Sequence, residues 1–146
     1  ENERAIADYT TALDLDPTDS VAYKGLGDAW IKSGNFDRAI ATVNKAVEIN
    51  PRDAVYYNMR GYSWYRKGDP DRAIRNYIKA LELNPRYAGV YKNRAIAYFS
   101  KKEYDKAWDD VNRAQELGYR VHPGFLKSLR EVSQRQDSRS GDRVTH

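Results

Sequence analysis

Residues 1–6 read ENERAI, and the chain rewrites that phrase three more times: NFDRAI at Asn35–Ile40, DPDRAI at Asp69–Ile74 and EYDKAW at Glu103–Trp108. Each copy begins 34 residues after the last. A fixed period of this length is the mark of a repeat architecture, in which one small unit is stacked along the chain. Stepping by the same interval aligns Pro17, Pro51 and Pro85; Ala5, Ala39, Ala73 and Ala107; and Ala12, Ala46, Ala80 and Ala114. It also aligns Tyr23, Tyr57 and Tyr91, then Gly27, Gly61 and Ala95, then Trp30, Trp64 and Tyr98.

Within one period the apolar residues describe two helices. The first runs over Ser20–Ser33, Ala54–Lys67 and Ala88–Lys101, with a stripe at i, i+4, i+7 led by Tyr23, Gly27 and Trp30. The second runs over Asp37–Ile49, Asp71–Leu83 and Asp105–Leu117, with Ala39, Ile40, Val43, Ala46 and Val47 as its stripe. Gly or Ala at the crossing point lets two helix axes approach to the close end of the usual range of about 8–10 Å. Gly34 and Gly68 suit a left-handed helix end. Asn35 and Asp69 suit the following N-cap, with Pro70 at the first helical position. Asn50-Pro51 and Asn84-Pro85 close the second helices, and Asp19, Ser20 and Asp53 are available to cap the next units.

With these series in register, the chain resembles the tetratricopeptide repeat (TPR) family over about residues 1–119. The resemblance implies an all-α, right-handed superhelical solenoid of antiparallel helix pairs. Its concave groove is lined mainly by first helices and binds an extended peptide or a helix of another protein. The organisation expected is a solenoid over 1–135, divided into a second helix of a truncated repeat (1–19), three repeats (20–53, 54–87, 88–121) and a capping helix (122–135). A disordered tail is expected over 136–146, where DSRSGDRVTH has almost no apolar content. The capping helix rests on Phe125, Leu126, Leu129 and Val132 at helical spacing, since the last unit of a solenoid needs a polar-backed cover. Because ENERAI opens a second helix with no first helix before it, the chain reads as a cut edge of a longer array, its true N-terminus missing.

Three departures from the pattern stand out. Lys102 replaces the Gly34/Gly68 residue, so the third inter-helix turn is expected to be less relaxed. Tyr119 stands where a fourth proline falls, and Gly118 ends the helix instead. Arg60 and Arg94 occupy an ordinarily apolar position that Leu26 fills in the first unit; their stems are expected along the core, with the guanidinium on an aromatic face or a carboxylate.

One residue beyond the buried stripe lies a second i, i+4, i+7 row, about 100° around the helix. It reads Lys24, Asp28, Ile31; then Asn58, Tyr62, Tyr65; then Lys92, Ile96, Phe99, flanked by Arg66 and Asn93. By the resemblance this row faces the groove. Tyr62, Tyr65 and Phe99 would be aromatic anchors, the type enriched at binding hot spots. Lys24, Arg66 and Lys92 would favour an acidic group or a C-terminal carboxylate, and Asn58 or Asn93 could hold peptide backbone. The chaperone-carboxylate clamp of one TPR subset is not matched: Lys24 fits, but Asp28 and Met59 stand where Asn is needed, and Gly89 and Asn93 replace the final Lys and Arg.

Chemistry is sparsely supplied. There is no cysteine, and His122 and His146 are far apart, so neither disulfides nor zinc-type spacings arise. The DLDPTD stretch lacks the glycine and distal glutamate of a calcium loop, and the lone Gly25-Leu26-Gly27 follows no strand. The reading is therefore non-catalytic, with no cofactor and no metal. The net charge of +4 is also uneven: residues 1–118 carry 19 basic against 18 acidic side chains, and 119–146 carry 6 against 3. A nucleic-acid binder concentrates its basic stripe on the folded surface, so nucleic acid is a poor fit. No stretch approaches the roughly 18 apolar residues of a membrane span, which favours a soluble, cytoplasmic chain. The expectation is a protein-interaction scaffold with a protein or peptide partner. The alternatives are self-association through solenoid ends or groove, and a basic C-terminal tail binding nucleic acid or acidic lipid.

Overall fold

The computed structural model describes residues 1–141. Among them are eight α-helices and no strand. These are α1 (Asn2–Leu15), α2 (Ser20–Lys32), α3 (Phe36–Ile49), α4 (Ala54–Arg66), α5 (Pro70–Leu83), α6 (Ala88–Ser100), α7 (Tyr104–Glu116) and α8 (Pro123–Gly141). Each helix from α1 to α7 packs on the next, and the first helices of successive units, α2, α4 and α6, also touch one another. The result is an all-α solenoid with the first helices drawn together on one side and the second helices splayed on the other.

Local chemistry sets the helix ends. Asp19 accepts hydrogen bonds from the Val21 and Ala22 amides, Asn35 from Arg38, Asp53 from Val55 and Asp69 from Arg72, which satisfies amides the helix itself leaves unpaired. The third unit breaks the series, because Tyr87 caps α6 without any side-chain bond. The turns inside each unit share one geometry. In the first, Asn35 N–H donates to Trp30 O and Gly34 N–H to Ile31 O, both at 3.0 Å, the reciprocal pair of a Schellman end. Gly34 and Gly68 sit at φ +77° and +87°; Lys102 adopts the same left-handed conformation at φ +61°. The third turn thus keeps its shape, and Lys102 carries the steric cost that glycine avoids.

The core is a chain of clusters, one per unit. Tyr23, Val43, Ala46, Tyr56 and Met59 form the first, and Tyr57, Ala73, Ile74, Tyr77 and Val90 belong to the second. The third joins Ala95, Ala107, Val111 and Ala114 to Leu129 of α8, with Phe125, Leu126 and Val132 packed around it. Gly61 is required by close approach: a Cβ there would lie 2.7 Å from the Tyr77 ring and 3.1 Å from the Ala73 carbonyl oxygen.

One boundary differs from expectation. The stretch 136–141, read from composition as the start of a disordered tail, continues α8. Gln134, Arg135 and Gln136 are adequate helix formers, no proline intervenes, and Ser138 Oγ donates back to Gln134 O at 3.0 Å. The rest of that tail, 142–146, lies outside the described residues.

Candidate functional site

Where α2, α4 and α6 touch one another, the side chains they turn outward line one face of the solenoid, the face expected to be the groove. At its N-terminal end lies a hollow of about 400 Å³ bounded by Tyr9, Val21, Lys24, Asp28, Val55 and Met59. Lys24 and Asp28 are exposed. Asp28 pairs with Lys32 at 2.6 Å, and that contact raises the Lys32 pKa. Ile31 turns inward instead, packing on the first core cluster.

Asn58 and Asn93 form a bridge across the middle. Asn93 Nδ2 donates to Asn58 Oδ1 at 3.0 Å, and Asn58 Nδ2 donates to the Tyr87 hydroxyl at 3.4 Å. Tyr62 is half-buried, and its hydroxyl accepts from Arg66 Nη1 at 2.7 Å. The Arg66 guanidinium lies 5.6 Å from the Tyr62 ring centre and 5.0 Å from that of Phe36. Tyr65 packs against the second core cluster. Behind both tyrosines is Tyr77, whose phenol is pushed well above its ordinary pKa by burial first, then by the neighbouring Tyr62 and Tyr65.

The C-terminal end holds a second hollow of about 480 Å³, lined by Lys92, Ile96, Tyr119, Arg120, His122 and Pro123 among others. Lys92 Nζ stands 5.9 Å from the Tyr119 ring centre. Phe99 is occupied: its ring meets Phe125 edge-on at 5.4 Å and Tyr104 at 5.6 Å. It anchors the capping helix, and the aromatic ends of the groove come from Tyr9 and Tyr119 instead. Tyr9 and Tyr119 lie outside the three-unit row read from sequence. Tyr9 shares its register with Val43 and Tyr77 of the second-helix stripe, and Tyr119 holds a position where the period gives proline, so a row read along first helices alone includes neither.

Two family models match, one described as tetratricopeptide repeat over residues 1–61 and one as TPR repeat over 61–102. The chain belongs to the tetratricopeptide repeat family. No curated protein matches it. Among solved structures, this TPR chain superposes on crystalline MamA with a TM-score of 0.78 at 24% identity, covering 94% of this chain and 76% of MamA. It also superposes on the first TPR of Spaghetti (RPAP3), solved with the HSP90 peptide SRMEEVD, with a TM-score of 0.73 at 25% identity. That match covers 81% of this chain and 93% of the other. Among the described residues of the TPR chain, no helix is long and apolar enough to cross a membrane.

Proposed function

We propose that the chain is a non-catalytic protein-interaction module whose groove holds an acidic, extended segment or helix of a partner protein. The observation that carries this reading is the charge balance of the groove wall. Lys24 and Lys92 meet no carboxylate among the described residues, Arg66 is held by aromatic rings and a hydroxyl, and Asp28 is paired with Lys32. An acidic ligand would supply the missing counter-charge at both ends, while the Asn58–Asn93 bridge offers amide groups to its backbone. The neighbouring TPR of Spaghetti supports the class of ligand, because its peptide SRMEEVD carries two Glu and one Asp against one Arg. The contacts differ in detail, since the clamp residues of the chaperone-binding subset are not those present here.

Pull-down of partners by wild type and by Tyr62→Ala/Tyr65→Ala, followed by Lys24→Glu/Lys92→Glu, tests the reading. The tyrosine variant should lose most of its partner recovery, and the charge reversal should weaken recovery in proportion as salt is lowered. Unchanged recovery with both variants places the ligand elsewhere.

A further inference from the structure

On the side opposite the groove, where second helices splay apart, each inter-unit notch has the same floor. In the second notch the floor is Tyr57, Arg60 and Trp64; Arg60 Nε donates to Asn76 Oδ1 at 2.7 Å and Nη1 to Asn44 Oδ1 at 2.9 Å, with the guanidinium 5.3 Å from the Tyr57 ring centre. In the third it is Tyr91, Arg94 and Tyr98; Arg94 grips Asp110 through two bonds of 2.7 and 2.8 Å and lies 5.7 Å from both rings. In the first notch Leu26 takes the arginine position, and a cavity of about 530 Å³ remains between α1 and α3, floored by Tyr23, Leu26 and Trp30. That volume lies within the range of about 300–1,000 Å³ typical of ligand pockets.

We infer that this first notch binds the side chain of an arginine from a partner protein, which supplies in trans the guanidinium that the other two notches hold in cis. The rest of the seat is kept. Tyr23 and Trp30 repeat the aromatic pair, Thr42 stands at the position of Asn76 and Asp110, and Thr10 at that of Asn44. The Thr42 hydroxyl donates to Arg38 O at 2.8 Å and that of Thr10 to Ile6 O at 2.7 Å. With both hydrogens spent on helix carbonyls, these oxygens present only lone pairs to the cavity, which suits a ligand that is all donor, as guanidinium is. Asp14 adds a carboxylate with no partner of its own, at the register of Glu48 in the second notch. Two cations also line the cavity: Arg38, which covers part of the Trp30 face at 4.7 Å, and Lys45. Neither register is a bar: Arg72 and Lys106 hold the first, and Lys79 and Arg113 the second, in the units whose notches already contain an arginine.

The probe is acetyl-Gly-Arg-Gly-amide titrated into the isotope-labelled full chain, with NMR shifts of the Trp30 indole and the Thr42 amide as readout. The arginine peptide should shift both saturably, and its citrulline analogue, equal in shape but uncharged, should bind at least about tenfold more weakly. Leu26→Arg, which fills the notch in cis, should abolish the shifts, while Tyr62→Ala in the groove should leave them unchanged. If Leu26→Arg does not fold, Asp14→Asn should weaken binding severalfold in its place. Equal shifts with citrulline, full binding by Leu26→Arg or Asp14→Asn, or no shift at all overturns the inference.

Discussion

The Arg94–Asp110 pair is the sharpest place to measure what holds the units together. The Asp110 side chain keeps 6% of its surface exposed and that of Arg94 19%, so both charges are largely out of water. Burial pushes the Asp110 carboxyl up, and the Arg94 bonds hold it down by less. Such a pair gives little net stability, yet removing one member strands the other, at about 3–5 kcal/mol. Because some water still reaches Arg94, Asp110→Ala should cost about 3 kcal/mol, at the lower end of that range. For a chain of this size that is a drop in melting temperature of about 6–12 °C. The double variant Arg94→Leu/Asp110→Thr rebuilds the Leu26/Thr42 pairing that the first unit already uses, and should return to within about 1 kcal/mol of wild type. Urea unfolding followed by far-UV circular dichroism gives the midpoints. Tryptophan emission, which includes Trp108 of α7 bonded through Nε1 to Ser133 at 3.0 Å, tells whether the third unit melts apart from the rest. The reasoning fails if Asp110→Ala costs under about 0.5 kcal/mol, or if the double variant is as unstable as the single one.

Further outcomes follow from single positions. Lys102→Gly should stabilise the chain by about 1 kcal/mol, the left-handed strain of about 1–2 kcal/mol at φ +61° less the extra freedom glycine gains on unfolding; thermal melting reads it. Gly61→Ala should cost about 1–3 kcal/mol because its methyl meets the Tyr77 ring at 2.7 Å and the Ala73 carbonyl oxygen at 3.1 Å. Gly27→Ala meets only the flexible end of Met59, at 2.9 Å, and the Val43 side chain, so it should fall well short of that loss in the same denaturation assay. Glu103 is held below its ordinary pKa by bonds to Lys101 first and then Lys106. A depressed carboxyl stabilises the fold above its unfolded value, about 4.3, and that support is lost as pH falls through the folded value. Acidification below about pH 4 should therefore loosen the α6–α7 turn, seen as a lower protection factor (exchange relative to the intrinsic rate at the same pH) for the Lys102 amide, and Glu103→Gln should flatten the response.

The 34-residue period made the helices legible because each is specified locally, by a stripe, a cap and a stop within one unit. Groove residues were harder to read. A row at i, i+4, i+7 says which way a side chain leaves its own helix, not what the next unit puts in front of it. Phe99 leaves α6 in the expected direction and meets Phe125 of α8; Ile31 leaves α2 and meets the first core cluster. Residues 136–141 misled for a related reason, since low apolar content denies a segment a core but does not stop a helix that needs none.

The arginines show how far the period can be pushed. Read as a single column, Leu26, Arg60 and Arg94 suggest one apolar norm with two exceptions. The notch they floor is closed by three columns together: the residue itself, the Thr42/Asn76/Asp110 series and the Thr10/Asn44/Ile78 series. Arg60 uses two of its donors on Asn76 and Asn44, whereas Arg94, facing Ile78 on one side, spends both on Asp110. Each arginine therefore comes with the acceptors its own notch provides. Leu26 is the member out of step, because it leaves the acceptors at Thr10 and Thr42 in place with no guanidinium to serve them.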